Sequence, residues 1–435
     1  MEENKRYIVA IEIASSKITG IAALLDKNNE ADEICHYEEK IDGPVIYGEI
    51  KNADAVASKV SSILQKIENN KNISPYKIKS VYVGINARSL HSTTVTIEKD
   101  INENIPIDEK LMSQIENESR AKINSETDKI LIARRGLCEI DGKETTNPTG
   151  SLGSHISVTT TIITCRQKIC KYIEMVFERL KVNVIGYIPT QLALAKLPDN
   201  IVLTSEGRQL GCMLVDFGSD TTAVSIYKND RLLYLNTIPM GSRNITRDLM
   251  TLNILPENAE KIKYTYGIMK TENVVKTEIV PGVSSTDVVN YINARAGEII
   301  ENIRNQMTIA GIKPEELPGG IRIIGQGAKL KGFNEMLEHN SKMTVHKGGW
   351  SNKDDYNDRI ASLAILDTAS NLIKNGESCM YMPLTNTPEP PTVEQHPAAD
   401  TSGEPKKKGF FGRLKDSISK GIGTAIGEDD DEDYK

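Results

Sequence analysis

Aromatic residues are scarce in this chain, with five phenylalanines and one tryptophan among 435 residues. Two of the phenylalanines, Phe410 and Phe411, stand side by side near the end, inside a basic, glycine-punctuated segment of an acidic chain. So rare an apolar side chain, placed outside the expected folded body, implies a use outside it. Cysteine is sparse too: the six, at 35, 138, 165, 170, 212 and 379, form no C-x-x-C pair, and the six histidines are scattered. That spacing excludes a zinc framework and predicts reduced, packed thiols in a cytosolic protein. No stretch approaches the roughly 20 uninterrupted apolar residues of a membrane span, and MEENKRYIVA lacks the apolar core of a signal peptide. The expectation is neither export nor a spanning helix. A net charge of −7 removes any general attraction for nucleic acid, so none is expected as a partner. There is no Walker G-x-x-x-x-G-K-[ST] and no kinase catalytic loop, so the familiar phosphate-binding alternatives fall away.

What is present is a mixed apolar and charged chain long enough for about three domain-sized units. Two segments about two hundred residues apart share one plan. RYIVAIEIASSKITGIAALLD reads as a strand ending in an acid at Glu12, a small polar turn with Ala14, Ser15, Ser16 and Lys17, then a returning strand. LGCMLVDFGSDTTAVSIYKNDRL repeats it with Asp216 and the turn Gly218, Ser219, Asp220, Thr221 and Thr222. These are either two ordinary hairpins or two phosphate turns, since small residues let backbone N–H groups approach a phosphate and the acids can hold a metal-bound water. GGIRIIGQGAKLKGFNEMLEH reads as strand, Gly325-Gln326-Gly327-Ala328, then helix, a context in which nucleotides are held. PENAEKIKYTYGIM is helical, with Glu260 and Lys263 on one face, a pairing that solvated helices also show.

In this order these residues resemble the actin-like ATPase superfamily: a first phosphate turn at IEIASSKI, a connecting helix at IPTQLALAKL, a second phosphate turn at VDFGSDTTAVSI and an adenosine turn at IIGQGAKLKG. VYVGINARSLHS, NPTGSLGSHI, IPMGSRNITRDL and AEKIKYTYG narrow the resemblance to the FtsA family of bacterial cell division, over residues 7–367. The resemblance implies an α/β, two-lobed actin-like (ribonuclease-H-like) fold with an extra α+β subdomain in the first lobe and a disordered tail ending in an amphipathic helix. The first-lobe core would span 1–84, resumed at 164–198 and 360–378, with the extra subdomain at 85–163 around a helix near 108–123. The second-lobe core would span 199–240 and 306–351, with a helical inset at 241–305. In that inset, Val288, Ile292, Ile299, Ile300 and Ile303 can share a buried stripe. ATP with Mg²⁺ would lie between the lobes, on Glu12, Ser15, Ser16, Lys17, Asp216, Gly218–Thr222, Glu260, Lys263 and Gly325–Ala328, with Glu12 and Asp216 holding the metal through water.

The turns depart from the family pattern. Glu12, Ala14 and Ser15 stand where the family has Asp, Gly and Thr. Ser219 and Asp220 replace two glycines, Ala223 replaces an acid, and Gln326 replaces another glycine. A carboxylate within about 4 Å of a phosphate oxygen costs about 1 to 4 kcal/mol unless a cation lies between them, and the Ala14 methyl hinders close backbone approach. The expectation is weakened nucleotide binding, little or no turnover, and no catalytic residue; a shifted Mg²⁺ bridging Asp220 to phosphate would restore activity.

From about residue 379 the chain is rich in proline, threonine and acids without apolar periodicity, which reads as a disordered linker over 379–404. Over 405–427, about 100° per residue places Phe410, Phe411, Leu414, Ile418, Ile422 and Ala425 on one helical face, with Lys406, Arg413 and Lys420 opposite and Lys407 and Lys408 beside them. That pattern suits a helix lying in an anionic membrane interface, or one docking on protein. The acidic 428–435 terminus has no assigned role. The resemblance implies a peripheral adaptor at the cytoplasmic face of the membrane at the division site. It would bind the C-terminal peptide of the tubulin-like FtsZ through the inset, with Arg295 the nominated contact. It would also polymerise through the extra subdomain and second lobe, and meet other divisome proteins. The rival readings are an active actin-like or heat-shock-like ATPase, and a pilus-assembly relative.

Overall fold

The computed structural model describes residues 6–28, 30–74, 76–198, 201–349 and 357–375. The chain opens with three antiparallel strands, β1 (Arg6–Ile13), β2 (Lys17–Leu25) and β3 (Ala31–Lys40). A two-rung hairpin follows, β4 (Val45–Ile46) and β5 (Glu49–Ile50). Helix α1 (Ala53–Glu68) starts where the Asn52 side chain accepts from the Ala55 N–H, satisfying one of the free donors of its first turn. Strand β6 (Ser80–Ile85) returns parallel to β1. The unbroken apolar run at the start of β1 is explained by burial on both faces: Tyr7, Val9 and Ile11 pack with α1, while Ile8 and Ala10 face the last helix among the described residues.

Next come β7 (His91–Asp100), α2 (Glu109–Ala121), β8 (Asp128–Ile140), β9 (Lys143–Thr145) and β10 (His155–Arg166). Ile97, Cys138, Ile140, Ile156 and Val158 alternate toward Met112 and Ile115 of α2, giving this subdomain its own core. It is inserted within the first lobe, yet its strands continue the second-lobe sheet through a single bridge between His91 and Asn236. The chain then re-enters the first lobe with α3 (Gln167–Arg179), β11 (Asn183–Pro189) and α4 (Thr190–Lys196), completing a five-stranded sheet of order β11-β6-β1-β2-β3.

The second lobe holds α5 (Ser205–Leu210), β12 (Cys212–Phe217), β13 (Thr222–Lys228) and β14 (Arg231–Ile238). The inset follows: α6 (Ser242–Met250), α7 (Pro256–Tyr266), the small hairpin β15 (Glu278–Val280) and β16 (Val283–Ser284), and α8 (Ser285–Ile309). The expected stripe of α8, Val288, Ile292, Ile299, Ile300 and Ile303, is fully buried, and the helix runs a turn past residue 305. Strand β17 (Ile321–Ile324), α9 (Phe333–Ser341), β18 (Val345–Lys347) and α10 (Ile360–Lys374) close the fold. Leu194 of α4, Leu214, Tyr227 and Ile324 of the second lobe, and Leu363 and Leu366 of α10 share one core cluster, so the lobes are joined by buried apolar surface. Cys35, Cys138, Cys165, Cys170 and Cys212 are free and buried, as expected; Cys379 lies outside the described residues.

Candidate functional site

The two look-alike segments fold as look-alike hairpins. In the first turn Ala14 N–H donates to Lys17 O (3.0 Å), and in the second Gly218 N–H donates to Thr221 O (2.9 Å). Both turns project into one cleft between the lobes, lined by Glu12, Ala14, Ser15, Ser16 and Lys17 on one side and Asp216, Gly218, Ser219, Asp220 and Thr221 on the other. Gly325 and Gln326 line its far end with the apolar Leu194, Ile324, Ile360 and Ala361. Gly325 sits at φ +92°, and a Cβ there would come within 2.4 Å of Phe217 O, so glycine is required for this turn to lie against β12. Thr222 points away, its hydroxyl donating to Met240 O (2.8 Å), and Gly327 and Ala328 are buried beneath the turn rather than on its surface.

Glu12 and Asp216 face the cleft from opposite lobes. Burial pushes the Glu12 carboxyl up to about 7, with Lys17 opposing the rise and Asp216 adding to it. Burial likewise pushes Asp216 up to about 6, opposed by the Asn86 amide that donates to it (3.2 Å). Glu12 and Asp216 are the carboxylates of the cleft that could hold a hydrated divalent cation, whose charge would favour their ionised forms. Among the described residues no group of three or more His, Cys, Asp or Glu side chains is placed to bind a metal directly, so water would supply most of the ligands.

At the second hairpin turn, the structure changes the meaning of Asp220. Its side chain is fully buried and its Oδ1 meets Arg243 (3.4 Å) and Arg247 (3.5 Å) from α6. Its Oδ2 accepts from the Tyr47 N–H (3.4 Å). The carboxylate is therefore not a bare negative charge facing the cleft: two guanidiniums compensate it. Arg243 also reaches Asp42 (3.2 Å) and Ser15 O (3.5 Å) in the first lobe, so it ties the lobes together. Arg243 and Arg247 lie inside IPMGSRNITRDL, where nothing local in the sequence marks their partners.

At the other end the bridge is Asp358, just before α10. Its carboxylate accepts from Gln326 Nε2 (2.8 Å) and Lys329 (2.6 Å) of the second lobe, while its carbonyl accepts from Lys17 (2.8 Å) of the first. Lys17 is further paired with Glu38 (2.8 Å). Glu260 and Lys263 do share a face, but they do not line the cleft. The Lys263 ammonium is fully buried, donating to Ser242 O (3.3 Å), Thr246 Oγ1 (3.0 Å) and Glu260 (2.8 Å), so the pair braces α7 against α6. Arg295 is bound to Asp248 of α6 through Nε (2.5 Å) and Nη2 (3.1 Å) and to Glu298 (2.5 Å), so its charge is already matched. The tail residues Lys406, Lys407, Lys408, Phe410, Phe411, Arg413, Leu414, Ile418, Lys420 and Ile422 lie outside the described residues.

The profile of the family described as cell division protein FtsA matches residues 213–381. The cell division protein FtsA of Porphyromonas gingivalis is 27% identical over 343 residues, covering 76% of this chain and 70% of that protein. That of Neisseria meningitidis serogroup B is 26% identical over 390 residues, covering 83% and 88%. Along most of its length the chain is similar to FtsA proteins. Its fold is actin-like, and among solved structures it resembles a chain of the PilM-PilN type IV pilus biogenesis complex, with a TM-score of 0.60 at 12% identity over 83% of this chain and 98% of that one. The profile begins on β12 and so includes the second hairpin, Arg243, Arg247 and Asp358, while the first hairpin lies outside it. No helix among the described residues is long and apolar enough to cross a membrane.

Proposed function

We propose that the chain is a membrane adaptor of bacterial cell division: an actin-like protein that binds nucleotide weakly between its lobes, polymerises, and holds filaments of FtsZ at the cytoplasmic face of the membrane. The observation that carries this reading is the likeness to FtsA proteins over three quarters or more of the chain in both relatives quoted. The sequence of the tail supports it, since Phe410, Phe411, Leu414, Ile418 and Ile422 fall on one helical face, with Lys406, Arg413 and Lys420 on the other and Lys407 and Lys408 next to Lys406 in the chain. In the cleft, bound Mg²⁺ would screen the phosphates. Glu12 and Asp216 would hold its water shell, the Ser15–Ser16 and Gly218–Thr221 backbones would face the phosphates, and Gly325–Gln326 would face the adenosine.

Burying one phenylalanine in the interface contributes on the order of 1.5 to 3 kcal/mol, and each nearby lysine or arginine about 1 kcal/mol that salt screens. The test is flotation with anionic vesicles, with and without purified FtsZ. The intact protein floats and carries FtsZ with it, and deleting the FtsZ C-terminal peptide leaves FtsZ behind. Replacing Phe410 and Phe411 with Glu abolishes flotation at any salt, whereas neutralising Lys406, Lys407 and Lys408 weakens it mainly at low salt. Continued flotation of the double phenylalanine variant would remove the membrane part of the reading, and failure to carry intact FtsZ would remove the adaptor part.

A further inference from the structure

We infer that Asp220 is a specificity-determining residue that makes the cleft select a nucleoside diphosphate over a triphosphate. The inference rests on the cleft being a nucleotide site and concerns which nucleotide it takes. A nucleotide with its base against the apolar end, beside Gln326, Leu194 and Ile360, extends its phosphates toward the paired hairpin turns. Asp220 lines the cleft at the second of these turns and is buried, its Oδ2 accepting from the Tyr47 N–H, while the next N–H, that of Gly48, donates to Ser15 Oγ.

The carboxylate is held there by a built cradle. Tyr47 adopts φ +53°, a left-handed conformation unusual for an aromatic residue, and in it aims its N–H at Asp220 Oδ2. Arg243 N–H donates to Ser219 O (2.8 Å), and Gly241 lies so close to the turn that a Cβ would meet Ser219 O at 2.2 Å. The turn therefore cannot swing Asp220 aside without dismantling the start of α6. Asp220 Oδ1 is buried without a hydrogen bond and carries only the two longer guanidinium ion pairs.

Charge matching decides the preference. Arg243 and Arg247 face Asp220 and Asp42, two cations against two carboxylates, and Lys17 is paired with Glu38. The cleft beside Asp220 thus offers a terminal phosphate no surplus positive charge, because the fixed, buried carboxylate already takes both guanidiniums; a diphosphate, lacking that group, depends on such a charge less. Removing the Asp220 charge leaves Arg243 and Arg247 with one carboxylate between them and opens a true anion position.

Calorimetric titration with Mg·ADP, the Mg²⁺ complex of a non-hydrolysable ATP analogue, and adenosine tests this on the full chain, its Asp220→Gly variant and its Asp220→Asn variant. The asparagine keeps the side-chain shape and decides the question if the glycine variant fails to fold. The wild type should bind the diphosphate about tenfold or more tighter than the triphosphate analogue. Either variant should bring the two within about threefold or invert them, with adenosine affinity unchanged. A wild type that binds the triphosphate as tightly as the diphosphate, or a preference that survives in both variants, overturns the inference while leaving the nucleotide site standing. If none of the three ligands binds any of the proteins, the nucleotide reading of the cleft fails and the inference falls with it.

Discussion

Replacing Lys263 with Met removes a buried ammonium while keeping most of the side-chain volume. Burial holds this lysine below its usual pKa, with Glu260 opposing, so the folded protein already spends free energy to keep the charge. Its removal leaves Ser242 O without this donor, while Thr246 keeps Glu260 as a partner. One buried group losing its partner costs about 1–3 kcal/mol. Glu260 is itself about half exposed (47%) and keeps water, so the 3–5 kcal/mol penalty of a stranded buried charge does not apply. The relieved desolvation of the ammonium offsets part of the loss. The net is about 2 kcal/mol, or a fall in melting temperature of roughly 4–8 °C at the 2–4 °C per kcal/mol expected of domains this large. Scanning calorimetry of ligand-free wild type, Lys263→Met, Glu260→Gln and the double variant measures it, and the double variant should cost little more than Lys263→Met alone. A Lys263→Met protein that melts within 1 °C of wild type would refute the brace. Loss of nucleotide affinity without loss of stability would restore the pair to the ligand.

Gly241→Ala, whose Cβ would meet Ser219 O at 2.2 Å, should cost about 1–3 kcal/mol in urea unfolding and loosen the Arg243 bridge, seen as faster proteolysis between the lobes. Asp367 is pushed up to about 6 by burial, with Glu30 adding and Lys374, Lys196 and Asn371 opposing. The stability this raised group lends is complete below its unfolded value near 3.8 and is lost as pH rises through about 6. Asp367→Asn should therefore match wild type near pH 4 and exceed it by about 1–2 kcal/mol at pH 7.5, a gap that urea melts across pH 4–8 would show. Arg295→Glu faces Asp248 with a like charge, so it should lower stability whether or not it touches a partner. The swap Arg295→Glu with Asp248→Arg should recover stability, and only loss of FtsZ recruitment in the swap would assign Arg295 to the interface.

The two hairpins, the helix bearing Glu260 and Lys263, and the buried stripe of α8 were legible in the sequence because each depends on neighbours within a turn or a few turns. A strand that returns after a small polar turn, or an apolar residue every third or fourth position, declares itself locally. The spacing of Glu260 and Lys263 correctly put them on one face, but it could not say whether that face met water, nucleotide or α6. Asp220 was legible as a departure from glycine, and from the chain alone its charge looked uncompensated. Only folding brings Arg243 and Arg247 onto it, and only folding sets Lys17 against Asp358, 341 positions away. The placement of the inserted subdomain is of the same kind, since one bridge between His91 and Asn236 joins its sheet to the second lobe. Periodicity specifies which side chains share a face; the sign of the field around Asp220 is a sum over charges from both lobes, and that sum exists only once the lobes have met.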